Sequence, residues 1–165
     1  MASHSALPAA AASKDARYAQ VTIDLVAVLE GESNRVARMA TTASLLSHAF
    51  PEWLWTGFYL VDPARPNELV VGPYQGTLGC LRIRLGHGVC GVAAETGQTQ
   101  VVPDVSLFPG HIACDSRSRS EIVVPVWAPD GSLYAVLDVD SPDLAAFDGD
   151  DQRCLEALVA ALFST

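Results

Sequence analysis

The apolar positions of this 165-residue chain fall into blocks whose spacing runs from helical to strand-like and back to helical. From Asp15 to Leu29 they recur at Tyr18, Val21, Leu25, Val28 and Leu29, one face of a helix that Gly31 ends. Ser33 is placed to cap a second helix, in which Val36, Met39, Ala43, Leu46 and Phe50 keep the spacing until Pro51. The front of the chain therefore reads as a helical hairpin.

The pattern then changes. Trp53 to Val61 is aromatic and apolar, the 62–67 segment carries two prolines, and Glu68 to Gly72 is a second short run, so two strands joined by a turn are expected. Six glycines follow between residues 72 and 91, around Cys80 and Cys90, with a Leu81 to Leu85 alternation between. Such density suits backbone placed close to a ligand, or a long surface loop. Gln100 to Val102 reads as a short strand, and 103–111 as an irregular loop that delivers Cys114. Glu121 to Trp127 and Leu133 to Asp140 are Val-rich strands split by Pro129-Asp130-Gly131, a hairpin signal. Asp148 and Asp150 open a last helix with an apolar stripe of Leu155, Leu158, Val159 and Leu162. Two helices, a run of mostly antiparallel strands and a final helix make an α+β fold with helices on one face of the sheet.

Half of the residues are apolar, enough for one domain to bury a core without disulfide staples. With 19 acidic against 10 basic residues, the chain lacks the positive field that nucleic acid or an anionic membrane surface would need. No apolar stretch approaches the roughly 20 residues that span a bilayer. Residues 1 to 14 read as a disordered lead that suits neither a secretory signal nor an Arg-rich presequence, and residues 15 to 165 as a single domain in the cytosol. Four cysteines in a chain of that compartment point to redox, metal or catalytic use.

Cys114 stands out among them. It lies in the run from Gly110 to Pro125 beside Ser116, Arg117, Ser118, Arg119 and Ser120, where nearby cations favour a nucleophilic thiolate. Cys80 or Cys90, in the glycine-rich stretch, could reach it as a resolving thiol; Cys154 reads as structural. His87 with Cys90 and His111 with Cys114 form two His-x-x-Cys pairs that could hold zinc, although neither repeats a Cys-x-x-Cys knuckle. Asp138 and Asp140 share one face of a strand, and crowding in a pocket raises a carboxyl pKa, leaving a proton donor beside a group that can hold an amine; Glu121 could add a third. Both aspartates could instead face solvent. Trp55 and Tyr59 also share a face and could wall an apolar side chain or simply pack in the core.

Taken together, the Gly110 to Pro125 run, Trp55-Thr-Gly-Phe-Tyr59, Cys80-Leu-Arg-Ile, Gly88-Val-Cys90-Gly and Leu137-Asp-Val-Asp140-Ser resemble the free methionine-(R)-sulfoxide reductases, single GAF-domain enzymes. The resemblance runs from about Tyr18 to the C-terminus. It implies a GAF domain with a central antiparallel sheet of about six strands. It also implies a catalytic thiol at Cys114, a resolving thiol at Cys80 and an auxiliary cysteine at Cys90. The implied pocket carboxylates are Glu121, Asp138 and Asp140, and the implied aromatic wall is Trp55 and Tyr59. The implied reaction reduces free methionine (R)-sulfoxide through a Cys114 sulfenic acid and a Cys80–Cys114 disulfide. Thioredoxin would reduce that disulfide, with NADPH supplying electrons indirectly, and no metal or bound organic cofactor is expected. Cys154 is an extra thiol outside the family pattern, and His87 carries no role in it. A non-catalytic GAF module that binds a small molecule or senses redox state is the competing reading, with a zinc-stabilised domain behind it. The oligomeric state stays open, a homodimer included.

Overall fold

The computed structural model describes residues 13–164. The expected N-terminal lead lies outside them except for Ser13, which caps the first helix by accepting from the Ala16 N–H, and Lys14, which opens it. Helix α1 (Lys14–Val28) and α2 (Arg35–Ala49) form the expected hairpin. Asn34 rather than Ser33 caps α2, because its side-chain oxygen reaches the backbone N–H groups of Val36 and Ala37 at 2.9 and 3.1 Å.

The sheet follows as β1 (Trp55–Asp62), β2 (Arg65–Gly76), β3 (Arg82–Arg84), β4 (Gln100–Val102), β5 (Ser120–Trp127) and β6 (Leu133–Ser141), with α3 (Gly88–Thr96) between β3 and β4. All pairs are antiparallel in the order β3-β2-β1-β6-β5-β4. The β5–β6 hairpin forms as expected, putting both Val-rich strands inside the sheet and neither at its edge. Helix α4 (Gly149–Phe163) closes the chain from an Asp148 cap, whose carboxylate accepts from the Asp150 and Asp151 N–H groups while Asp151 answers the cap's own N–H.

Alternation along the central strands divides them between two cores. Phe58, Ile122, Val124, Leu137 and Val139 point to one face, where α1, α2 and α4 cover them with Leu25, Met39, Leu46, Leu155 and Leu158. Each such buried side chain contributes about 1.5–3 kcal/mol of transfer free energy. The three long helices thus lie on one face. The opposite face carries Trp55, Tyr59, Val123 and Val136, and there α3 packs Val89, Cys90, Ala93 and Ala94.

Two features of the 62–96 region depart from expectation. The short run from Glu68 is part of a 12-residue strand, and Gly72 and Pro73 sit in a bulge: Tyr74 pairs with Gly57 and Val71 with Tyr59, leaving both opposite Phe58. The end of the glycine-rich stretch is α3 and not loop. Gly91 lets that helix lie on the β3 end, where an added Cβ would stand 2.4 Å from the Arg84 carbonyl oxygen.

Candidate active site

The second face of the sheet is incompletely covered, and the gap is a cavity. Trp55 and Tyr59 from β1, Glu121 from β5, Asp138 and Asp140 from β6 and Cys90 from α3 all line it, with Gly79 and the Cys114 loop closing the far side. Period-two geometry explains the convergence: Trp55 pairs with Asp140, Gly57 with Asp138, and Glu121 with Asp140. Gly57 bears no side chain between Trp55 and Tyr59. Their rings stack at 5.5 Å between centroids, and Tyr74 stacks on the outer side of Trp55 at 5.1 Å.

Three carboxyl groups in so closed a space cannot all ionise freely. Burial, then the charges of Asp140 and Glu121, pushes Asp138 well above the ordinary carboxylate range; burial, then Asp140, does the same to Glu121. Asp140 is pushed up to about 6 by burial, against the opposing pull of its 2.5 Å hydrogen bond from the Ser118 hydroxyl. The triad therefore binds protons more readily than free carboxyl groups do, and its members titrate together. Asp138 and Glu121 are only 6% exposed, so the reading of Asp138 as solvent-facing is excluded, while Asp140 is half-buried and lines the cavity. The Asp138 Oδ1 atom is buried with no hydrogen-bond partner, an acceptor left for something in the cavity.

Cys114 and Cys80 are joined by a disulfide, with Cα atoms 5.5 Å apart, at the mouth of this cavity. Cys114 is on the exposed side and Cys80 half-buried. Of the two arginines expected to act on the Cys114 thiol, Arg117 is committed to Asp115 at 2.8 Å. Cys90 is a free thiol inside the cavity wall, its Sγ 4.0 Å from Glu121 Oε1, and burial with the neighbouring Asp138 and Glu121 charges pushes its pKa up. Cys154 is also free, half-buried on α4 outside the cavity, as its structural reading supposed.

The histidine and cysteine pairs do not gather into one site. Among the described residues the group with converging ligand atoms is Cys90, Glu121 and Asp138, within 4.8 Å of one another, while Cys114 is bonded to Cys80. His111 instead faces Glu121, with Nε2 3.6 Å from Oε2. His111 and Ser118 also line the cavity, and neither is among the pocket residues expected from the sequence, although both lie in the run around Cys114. The signal was their position three residues before and four after that thiol, on a loop that must fold back over the carboxylates.

Known proteins are similar to this chain over most of their length. The chain matches the GAF domain family over residues 24–164. It is 45% identical over 150 residues to GAF domain-containing protein A of Dictyostelium discoideum, covering 91% of this chain and 92% of that one. It is 41% identical over 143 residues to the free methionine-R-sulfoxide reductase of Saccharomyces cerevisiae, covering 84% and 79%. The X-ray structure of the free methionine-R-sulfoxide reductase from Neisseria meningitidis in complex with its substrate superposes with a TM-score of 0.87 at 49% identity, over 92% of this chain and 89% of that one. An antiparallel sheet with one helical face, a half-covered second face holding cysteines and carboxylates, and these identities agree: the chain belongs to the GAF domain family and, within it, to the free methionine-R-sulfoxide reductases.

Proposed function

We propose that this protein reduces free L-methionine (R)-sulfoxide to L-methionine by thiol chemistry at Cys114. The observation that carries the reading is the Cys80–Cys114 pair set over a cavity walled by Trp55 and Tyr59 and floored by three carboxyl groups. The aromatic wall suits the methyl-thioether end of the substrate, and the ionised member of the carboxyl set suits its ammonium group. A peptide-linked residue would lack that ammonium, which favours the free amino acid.

The chemistry runs in three steps. The Cys114 thiolate attacks the sulfoxide sulfur while a protonated carboxyl of the Glu121, Asp138 and Asp140 set donates to the oxygen. Burial pushes Glu121 and Asp138 well above the ordinary carboxylate range, a shift toward the protonated form that suits either as donor. The S–O bond breaks, methionine sulfur gains two electrons, and Cys114 leaves the step as sulfenic acid. Cys80 then attacks the sulfenic sulfur, water leaves, and the disulfide forms. A thioredoxin-like dithiol in the cytosol restores both thiols by exchange, drawing on NADPH through its own reductase. Cys90, raised and buried, stays a thiol and serves as an auxiliary wall of the carboxyl set.

Methionine formation from each epimer, followed with dithiothreitol as reductant, tests the reading. Conversion of the R epimer alone supports it; conversion of neither by folded, reduced protein overturns it in favour of a binding module.

A further inference from the structure

The two loops that the Cys80–Cys114 disulfide joins are also joined by one side-chain hydrogen bond. Thr77, three residues before Cys80, donates its hydroxyl to Asp115, the residue after Cys114, at 2.6 Å. Among the described residues it is the one side-chain hydrogen bond between these loops, neither of which has regular structure at its cysteine. Both ends are anchored. The Thr77 carbonyl accepts from Trp55 Nε1 at 3.1 Å, fixing it to the aromatic wall. Asp115 Oδ1 accepts from the Arg117 backbone N–H at 2.9 Å and from its Nε at 3.1 Å, and Oδ2 from Nη2 at 2.8 Å. Thr77 itself lies outside the cavity lining, and the chemistry proposed for the substrate does not use it.

We propose that Thr77 and Asp115 form a positioning clamp for disulfide closure, holding Cys80 within bonding reach of Cys114 while the disulfide is open. The inference rests on the Cys114 chemistry above. In the step it serves, the S–O bond of the Cys114 sulfenic acid breaks, the S–S bond forms, and the hydroxyl leaves as water with the Cys80 thiol proton, so no outside oxidant enters. A disulfide needs its Cα atoms within about 4.4–6.8 Å, and these stand at 5.5 Å. Once the covalent bond is cut, a charge-assisted hydrogen bond one residue from Cys114 raises the effective concentration of one thiol at the other. Linkage then requires the same bond to oppose reduction of the closed disulfide.

The test compares wild type with Thr77→Val, which removes the donor, and Thr77→Ser, which keeps it. Reduced protein is mixed with free methionine (R)-sulfoxide and no external reductant, and methionine release and thiol loss are followed separately. Thr77→Val is expected to release methionine at the wild-type rate but to close its disulfide at least fivefold more slowly, with the intervening sulfenic acid trapped by dimedone. Its equilibrium against dithiothreitol should shift toward the dithiol by about the same factor, and Thr77→Ser should restore both. Wild-type closure rate and wild-type equilibrium in Thr77→Val would overturn the clamp. The dithiothreitol equilibrium needs no substrate, so it tests the clamp even if wild type released no methionine, a result that would reject the proposed function instead.

Discussion

Asp140 stands two residues from Asp138 on β6 and directly across from Glu121 on β5, so three carboxyl groups enter one cavity from two adjacent strands. Nothing in the core requires this. Glu121 and Asp138 are buried, Asp140 raises both of them, and one oxygen of Asp138 has no partner, which is a cost to folding that a bound ammonium group would relieve.

Removing one of these carboxyl groups should therefore stabilise the protein. The fold holds protons on the triad at a pH where the unfolded chain, near its ordinary carboxylate values of about 4, has released them. The unfolded state then binds fewer protons, so stability falls as pH rises from about 4 toward the raised folded values. Asp138→Asn lacks that loss. Its melting temperature should exceed that of wild type by a few degrees at pH 8 and by little at pH 4. A lower melting temperature at pH 8 would contradict the assignment.

Affinity for methionine should itself depend on pH through Asp140. With its carboxyl pushed up to about 6, Asp140 is ionised at pH 7 and protonated at pH 5, and only the ionised form attracts an ammonium group. Calorimetric titration should show binding weaken up to tenfold per unit as pH falls below 6, and Asp140→Asn should flatten the profile. An unchanged slope in that variant would place the ammonium elsewhere.

Gly91 tests whether α3 is part of the site's architecture. An alanine there would meet the Arg84 carbonyl at 2.4 Å and force the helix outward, carrying Cys90 from Glu121. Gly91→Ala should cost about 1–3 kcal/mol of stability in chemical denaturation, as overpacking does, and lower kcat/KM as well. Wild-type values of both would show that the helix can shift freely.

Cys80→Ser separates the two halves of the proposed cycle. It should release one equivalent of methionine per Cys114 and then stall with thioredoxin, because no partner remains to resolve the sulfenic acid. Sustained wild-type turnover would reject Cys80 as the resolver and turn attention to Cys90.

How much of this was legible in the sequence varied with the physics of each segment. The α1–α2 hairpin, the β5–β6 hairpin and α4 were readable because burial on one face or in one run leaves a periodic signal, and Asp138 with Asp140 followed from period-two alternation. Helix α3 was not readable. Packed against the sheet with Gly88, Gly91, Ala93 and Ala94, it gains its place from close approach and not from an apolar stripe, and its left-handed cap at Gly97 was the one conventional sign. The full length of β2 was masked by Pro73, which a bulge accommodates. His111, Ser118 and the Thr77–Asp115 bond depend on how two irregular loops meet, which spacing along the chain does not encode.

The most direct measurement offers the R and S epimers of free methionine sulfoxide separately to wild type and to Cys114→Ser, with NADPH consumption coupled through thioredoxin and its reductase. Turnover of the R epimer alone, lost in Cys114→Ser, is the expected result. Turnover that survives in Cys114→Ser would contradict Cys114 as the nucleophile, and turnover of the S epimer instead would contradict the proposed substrate.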